Sequence, residues 1–341
     1  MTGLWLAAVL AAILCVLGLR FALARGFPNW LDLPNDRSLH VRPVPRIGGL
    51  AVLGATIATL IVGAVVGAYP APTLPTAVLW IATLVLALAS ALDDRRGLPV
   101  LPRLLAHACA AAALVVALAF DPATALPVLA SPAPWVAIAL VLAIVWFTNL
   151  YNFMDGADGL AGTMTVIGFA GYAWMAPGDD PIAWLAAAIA GAAAGFLRWN
   201  WAPARVFLGD AGSIPAGFLA AGIGLLGAAR GYWSLWAPVG LFLPFVSDAS
   251  VTLLTRAIRG RRIWQAHREH AYQRLILQGR PVPWVAAGYA TLSLIATVTV
   301  ATSAYQTEFV SNVCWAVIIV LQGGVLVLAA RGADQPSATR P

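Results

Sequence analysis

The sequence predicts an all-α, polytopic integral membrane protein of about 10–11 transmembrane helices, with the N-terminus outside and the C-terminus cytoplasmic. Three observations lead there. Of 341 residues, 61% are hydrophobic and only 10% charged, with mean hydropathy +0.85, whereas a soluble domain carries about 25% charged residues. Eleven apolar runs approach the length of a membrane-crossing helix. The basic residues, all of them arginine, alternate between rich and poor connecting segments.

The expected spans are 3–24, 48–68, 74–92, 101–120, 133–150, 159–176, 181–197, 212–229, 233–255, 284–303 and 309–330. The first lacks a basic start and a small-residue cleavage site, so it is expected to be a retained helix rather than a signal peptide. The connections 69–73, 121–132, 177–180 and 304–308 are short and poor in arginine, and 230–232 holds Arg230 alone. The remaining 19 of 20 arginines fall on the other side, which the positive-inside rule makes cytoplasmic. No repeat or internal boundary is evident. The expectation is one transmembrane domain over 1–330 and a short cytoplasmic tail over 331–341. Cys15, Cys109 and Cys314 all lie inside apolar runs, which argues against a disulfide framework or a zinc site. The net charge of +6 fits topology and an anionic substrate. Nucleic acid is excluded as a partner because no soluble domain is present to hold it.

Four cytoplasmic stretches carry polar chemistry. Asn149, Asn152, Asp155 and Asp158 recur every third residue at the end of the fifth span. On an α-helix they form one slowly drifting face, and a 3₁₀ turn aligns them fully. Gly156 and Gly159 permit a sharp turn or a close approach to a ligand. Hard oxygen donors at this spacing suit Mg²⁺, which takes one or two protein ligands plus substrate phosphates. Asp93-Asp94 ends the third span beside Arg95 and Arg96; the pair can bind a metal, sit beside a phosphate, or form a hydrated helix end. Asp210 stands between Gly209 and Gly212 at the start of the eighth span, where free N–H groups favour anions. The loop Asn35–Gly49 places Arg37, His40, Arg42 and Arg46 near a glycine pair, either as a phosphate grip or as topology-setting charge.

The longest cytoplasmic segment, 256–283, holds His267-Arg268-Glu269-His270-Ala271-Tyr272-Gln273-Arg274. If helical, His267, His270, Ala271 and Arg274 share a face, which suits a pyrophosphate or a sugar better than Zn²⁺. A polybasic helix on anionic lipid is the alternative. Asp248, an intramembrane carboxylate, is a functional candidate or a structural partner within the bundle. His107 has no evident partner and reads as a packing histidine.

Taken together, Asp93-Asp94, Asn149-x-x-Asn152-x-x-Asp155-Gly156-x-Asp158-Gly159-Leu160-Ala161 and Phe207-x-Gly209-Asp210-x-Gly212-Ser213 resemble the polyprenyl-phosphate N-acetylhexosamine-1-phosphate transferases (MraY/WecA-like, glycosyl transferase family 4). The resemblance covers essentially the whole chain. It implies transfer of a sugar 1-phosphate from a UDP-sugar, of the UDP-HexNAc kind, to undecaprenyl phosphate, with release of UMP at the cytoplasmic face of the bacterial inner membrane. By resemblance Asn152 and Asp210 hold Mg²⁺, with Mn²⁺ the alternative ion. Asp155 and Asp158 face the nucleotide and metal, and Asp93 and Asp94 the lipid phosphate. Asn149, Arg46, Arg96, His267, Arg268 and His270 are the expected substrate contacts, Arg96 standing in for a lysine this chain lacks. The His267–Arg274 run is closer to the branch that starts O-antigen or other surface polysaccharides than to the phospho-MurNAc-pentapeptide transferases. A second copy of the chain, as a homodimer, is a further expected partner.

Elementary chemistry points the same way. Phosphoryl transfer is mainly positioning and charge neutralisation. A phosphate monoester has its second pKa near about 6, so a lipid phosphate is mostly a dianion at neutral pH. Direct attack is therefore expected, with an aspartyl-phosphate on Asp94 or Asp210 as the alternative. A lipid or nucleotide-sugar transporter is the rival of another class, although alternating access favours charges near the midplane rather than gathered at one face.

Overall fold

Apolar runs of this length have to satisfy their own backbone polar groups, and in a bilayer only helices do so segment by segment. The computed structural model describes residues 2–26, 30–34, 42–97, 99–124, 134–263, 265, 267–303 and 308–331, without the side chains of Arg95, Arg96, Glu308 and Phe309. Residues 35–41 of the Asn35–Gly49 loop, including Arg37 and His40, thus lie outside the described residues, as does the tail beyond 331.

The helices are α1 (Thr2–Arg25), α2 (Gly48–Val65), α3 (Leu74–Arg96), α4 (Val100–Ala119), α5 (Pro134–Met154), α6 (Leu160–Met175) and α7 (Pro181–Asn200). They continue as α8 (Asp210–Ala229), α9 (Ala237–Leu241), α10 (Leu243–Ile258), α11 (Ala271–Leu277), α12 (Val282–Thr302) and α13 (Glu308–Arg331). Two short antiparallel strands, β1 (Leu31–Asp32) and β2 (Val44–Pro45), lie between α1 and α2. Among the described residues nine helices are long and apolar enough to cross a membrane. The all-α, multi-pass expectation therefore stands, with two refinements. The sixth span, α6, has only 16 residues, about 24 Å at the usual rise. The ninth is broken into α9 and α10 at Phe242, where Pro244 supplies no N–H to continue the ladder.

That break has a packing consequence. Phe242 turns inward and packs edge-on against Phe147, Tyr151 and Phe169. Its ring fills the space a side chain on Gly168 would need. Tyr151 bonds Thr165 at 2.7 Å, and Tyr172 donates to the Ala220 carbonyl at 2.8 Å, so these buried hydroxyls are satisfied. The result is a fixed aromatic core behind the polar end of α5.

Helix α8 is the axis of the bundle: it is buried from Ala211 to Ala229, with α2, α3, α5 and α6 around it. Its Gly and Ala residues allow this, because small residues let backbones approach closely where lipid provides no hydrophobic drive. Gly217 abuts the backbone of α5 at Phe147 and Thr148. The exterior carries exposed Trp5, Ile81, Leu142 and Val320, the surface expected against lipid. At 20 residues, α8 spans about 30 Å, so Asp210 and Arg230 mark opposite ends. At the Arg230 end its guanidinium donates to Asp180 at 2.8 Å and to Thr73 at 2.9 Å, with Asp121 at 3.7 Å. The one arginine that breaks the charge asymmetry is thus held by two carboxylates.

Candidate active site

At the Asp210 end, three helix termini bring four carboxylates together. Asp93 and Asp94 occupy the last turn of α3, Asp155 follows the last residue of α5, and Asp210 is the first residue of α8. Two arginines lie between them. Arg46, just after β2, contacts Asp32 at 2.7 Å and Asp94 at 3.3 Å. Arg103, in the first turn of α4, contacts Asp93 at 2.6 Å and lies 3.8 Å from Asp210. Two guanidiniums, one shared with Asp32, do not balance four carboxylates, so the cluster retains a negative excess. Burial first, then the Asp210 and Asp94 carboxylates, push the Asp155 carboxyl well above the usual carboxylate range against the pull of Arg46. Asp94 Oδ2 is buried without a hydrogen-bond partner, and an orphaned acceptor of this kind needs a partner when the site is complete.

The backbone that carries these groups is tightly specified. Residues 205–208 run beside 45–49: Phe207 N–H donates to Pro45 O at 2.9 Å, Gly48 N–H to Phe207 O at 2.9 Å and Gly49 N–H to Leu208 O at 2.8 Å. This ties Arg46 to Asp210. Gly209 then takes φ 72°, a left-handed conformation that favours glycine. Gly49 and Gly212 touch backbone to backbone with no room for a Cβ on either. Asn152 accepts from Ser213 Oγ at 2.7 Å, joining α5 to α8. Asn200, at the end of α7, accepts from Gly159 N–H and donates to Val206 O, both at 3.0 Å, which clamps both glycine-bearing turns.

The period-three motif is only partly helical. Helix α5 ends at Met154, and Asp155 N–H closes back on Asn152 O at 3.2 Å. Asn149 and Asn152 therefore stay on the helix while Asp155 to Gly159 form a turn. Asp158 accepts from Ala204 N–H at 2.8 Å, bracing the neighbouring loop. Asn149 turns to His107 at 3.2 Å and to Val145 O at 2.7 Å, so His107 has a partner that its position in the sequence did not reveal.

The histidine segment does not form the single helical face its spacing allows. Helix α11 starts only at Ala271, and His270 before it is extended (φ −61°, ψ 148°). The two histidines meet across a turn instead, ring centroids 4.9 Å apart. The physical cause is Asp248, fully buried on α10, whose oxygens accept from Ala271 N–H at 2.8 Å and Tyr272 N–H at 3.1 Å, a cap that starts the helix there. His270 stacks on Phe153, and Tyr272 donates to Phe153 O at 3.1 Å, which brings this segment against the end of α5 beside Asp155. His267 Nδ1 accepts from Glu269 N–H at 3.3 Å, an arrangement that leaves the proton on Nε2. Burial, then the His270 and Arg256 charges, pull His267 down to about 4, so the ring is neutral at physiological pH. Glu269 pairs with Arg256 and Arg261, while Arg268 has no ion pair among the described residues.

The structure therefore gathers Asp93, Asp94, Asp155, Asp210, Asn152 and Arg46 at one end of the bundle, with His267, Arg268 and His270 on the adjoining segment. It directs Asp158 and Asn149 to structural partners; the side chain of Arg96 is outside the described residues. The sequence assigns no site role to Arg103 or Asn200 and shows Ser213 only as part of its motif. Arg103 counts there only among the topology-setting arginines; its signal is its position just beyond Asp93, across Gly97 and Pro99. For a metal, the donors on offer are hard oxygens. Asn152, Asp155 and Asp210 are oxygen donors of the type Mg²⁺ takes, although among the described residues no three His, Cys, Asp or Glu side chains form a ready-made cage.

The family model described as "Glycosyl transferase family 4" matches residues 76–228, a stretch that contains every member of the acidic cluster. The chain is 30% identical over 257 residues to a probable undecaprenyl-phosphate N-acetylglucosaminyl 1-phosphate transferase of Bacillus subtilis, covering 73% of this chain and 70% of that protein. It is 31% identical over 289 residues to a decaprenyl-phosphate N-acetylglucosaminephosphotransferase of Mycobacterium tuberculosis, covering 72% and 69%. A phospho-N-acetylmuramoyl-pentapeptide-transferase of Mycolicibacterium smegmatis is 35% identical over 166 residues, 43% of this chain and 45% of that protein.

Proposed function

The chain belongs to the polyprenyl-phosphate hexosamine-1-phosphate transferase superfamily, glycosyl transferase family 4, and from that premise we propose that it transfers an N-acetylhexosamine 1-phosphate from a UDP-sugar to undecaprenyl phosphate. UMP leaves, and the lipid-diphosphate sugar starts a cell-envelope polysaccharide at the cytoplasmic face of a bacterial inner membrane. The observation that carries the reading is the meeting of Asp93, Asp94, Asp155 and Asp210 from three helix ends with Arg46 and Arg103 between them. The donor assignment is supported by relatives. Relatives matching 73% and 72% of the chain are named for N-acetylglucosamine 1-phosphate transfer, whereas two pentapeptide transferases match 43% and 40% of it.

In this reading Asn152 and Asp210 would hold Mg²⁺, which when bound would neutralise charge on the donor diphosphate. Arg103 and Arg46 hold Asp93 and Asp94 in place and offset part of their charge, so a lipid phosphate dianion can approach. An oxygen of that dianion attacks the sugar-linked phosphorus; the new P–O bond forms as the bond to the UMP oxygen breaks, and the electron pair leaves with UMP. No side chain needs to remove a proton, because the attacking phosphate is already ionised. His267, neutral with its Nε2–H free, donates a hydrogen bond, and Arg268 supplies charge to the donor. The test is UMP release by purified protein in detergent, with undecaprenyl phosphate, UDP-N-acetylglucosamine and other UDP-HexNAc donors, with and without Mg²⁺, beside Asp210→Ala. Release that requires lipid, metal and Asp210 is expected. Lipid-stimulated release that persists in EDTA or in folded Asp210→Ala would refute the assigned chemistry.

A further inference from the structure

Asp248 lies outside the acidic cluster, yet among the described residues it is one of the most heavily hydrogen-bonded carboxylates. It is fully buried. Oδ1 accepts from Ala271 N–H at 2.8 Å and Thr252 Oγ1 at 3.1 Å, with His270 Nδ1 at 3.5 Å. Oδ2 accepts from Tyr272 N–H at 3.1 Å and Tyr289 Oη at 2.6 Å. A carboxylate offers about four acceptor directions, and four true hydrogen bonds fill them. None is left for a metal or a substrate, so the functional candidacy of an intramembrane carboxylate resolves here into a positioning role.

What it positions follows from α11. Seven residues are too few to hold a helix in water unaided, where about 12 or more are needed, so its place is set by tertiary bonds. Asp248 grips its N-terminus from α10. Arg274 Nε donates to Glu269 O at 2.7 Å, and Gln278 Nε2 donates to Ala329 O on α13 at 3.0 Å. Tyr272 crosses to Phe153 O at 3.1 Å, and its hydroxyl occupies the space a Cβ on Gly156 would take, next to Asp155. The His270 ring, stacked on Phe153 with centroids 6.2 Å apart, is fixed by the same turn.

We propose that Asp248 is the positioning residue of the donor side: by holding the first turn of α11 it sets His270 and Tyr272 against the Phe153–Gly156 turn, and so aligns the histidine segment with the carboxylate cluster. This rests on the transferase reading for its catalytic half, but the positioning half has its own readout. Asn at this position keeps the shape and one acceptor oxygen while losing the charge and the second acceptor.

The experiment compares full-length wild type, Asp248→Asn, Asp248→Glu and Tyr289→Phe in detergent, by hydrogen exchange and by steady-state UMP release with UDP-N-acetylglucosamine and undecaprenyl phosphate. For Asp248→Asn the amides of residues 270–277 should exchange about 10- to 100-fold faster, the range expected for losing hydrogen bonds to a charged acceptor, while exchange in α5 and α8 is unchanged. The same variant should lose kcat and raise the KM for the donor with the KM for the lipid unaltered. Asp248→Glu, which restores the charge, should recover part of both, and Tyr289→Phe should show a smaller effect of the same sign. Unchanged exchange at 270–277, or faster exchange spread evenly over α5, α8 and α11, overturns the proposal. So does an equal rise in both KM values. If wild type itself releases no UMP, the transferase reading fails and exchange alone decides the positioning role.

Discussion

Replacing Gly49 with alanine tests whether the site is set by helix contact. A Cβ at Gly49 falls on the Gly212 Cα and N and on the Ala211 carbonyl carbon. These are backbone atoms that cannot rotate aside. Carbon atoms settle at about 3.5–4.0 Å, so the starts of α2 and α8 have to part by roughly 1 Å. Arg46 lies three residues before Gly49 and Asp210 two before Gly212, and the Gly48–Phe207 and Gly49–Leu208 bonds join the same elements. Overpacking of this kind costs about 1–3 kcal/mol, and a 1 Å misplacement of reacting groups lowers turnover about 10²-fold. The matched control is Gly54→Ala on the same helix, where a Cβ meets nothing within 4 Å; helix propensity there predicts a gain of about 0.5–1 kcal/mol. The assays are UMP release and thermal unfolding in detergent. Gly49→Ala with wild-type turnover would refute the claim that this contact sets the Arg46–Asp210 geometry. Equal loss in Gly54→Ala would show that α2 responds to any added methyl.

Two further outcomes are expected. Arg230→Met removes the cation from Asp180 and Asp121 at the far end of α8; breaking a buried pair should cost about 3–5 kcal/mol, seen as a lower unfolding temperature, while kcat of the folded protein stays unchanged. The His267 ring sits at about 4, pulled down from 6.5 by burial first and by the His270 and Arg256 charges next. The fold therefore prefers its neutral form, and that preference is fully present above pH 6.5 and lost as pH falls from 6.5 through about 4. Proteolytic susceptibility of the 259–270 segment should rise over that window in wild type, and His267→Gln should flatten the rise.

The Asp248 network shows where sequence reading stops. An intramembrane carboxylate is conspicuous in the sequence, and helical i,i+4 spacing reaches Thr252, but Tyr289 and the Ala271 and Tyr272 amides lie on two other helices, and nothing in local spacing joins them to it. Asn149 is the converse. Its period-three relation to Asn152 and Asp155 is visible in the chain, yet the helix turns it to His107, because a residue three positions away on an α-helix points about 60° aside and α5 stops before the drift can be absorbed.

The bilayer made the rest legible. Length, apolarity and arginine asymmetry act one segment at a time, since each helix satisfies its own backbone in lipid. The all-α class, most span positions and the acidic motifs were therefore readable without any contact. Which helix ends meet depends on close approaches between residues far apart in the chain, such as Gly49 on Gly212 and Gly217 on Thr148. Tertiary placement of this kind brings Arg103 to Asp210 and Arg46 to Asp94, and the Asp248 and Tyr272 hydrogen bonds bring the histidine segment to Phe153. Local propensity determines a helix, but the relative placement of two helices is a packing property of both.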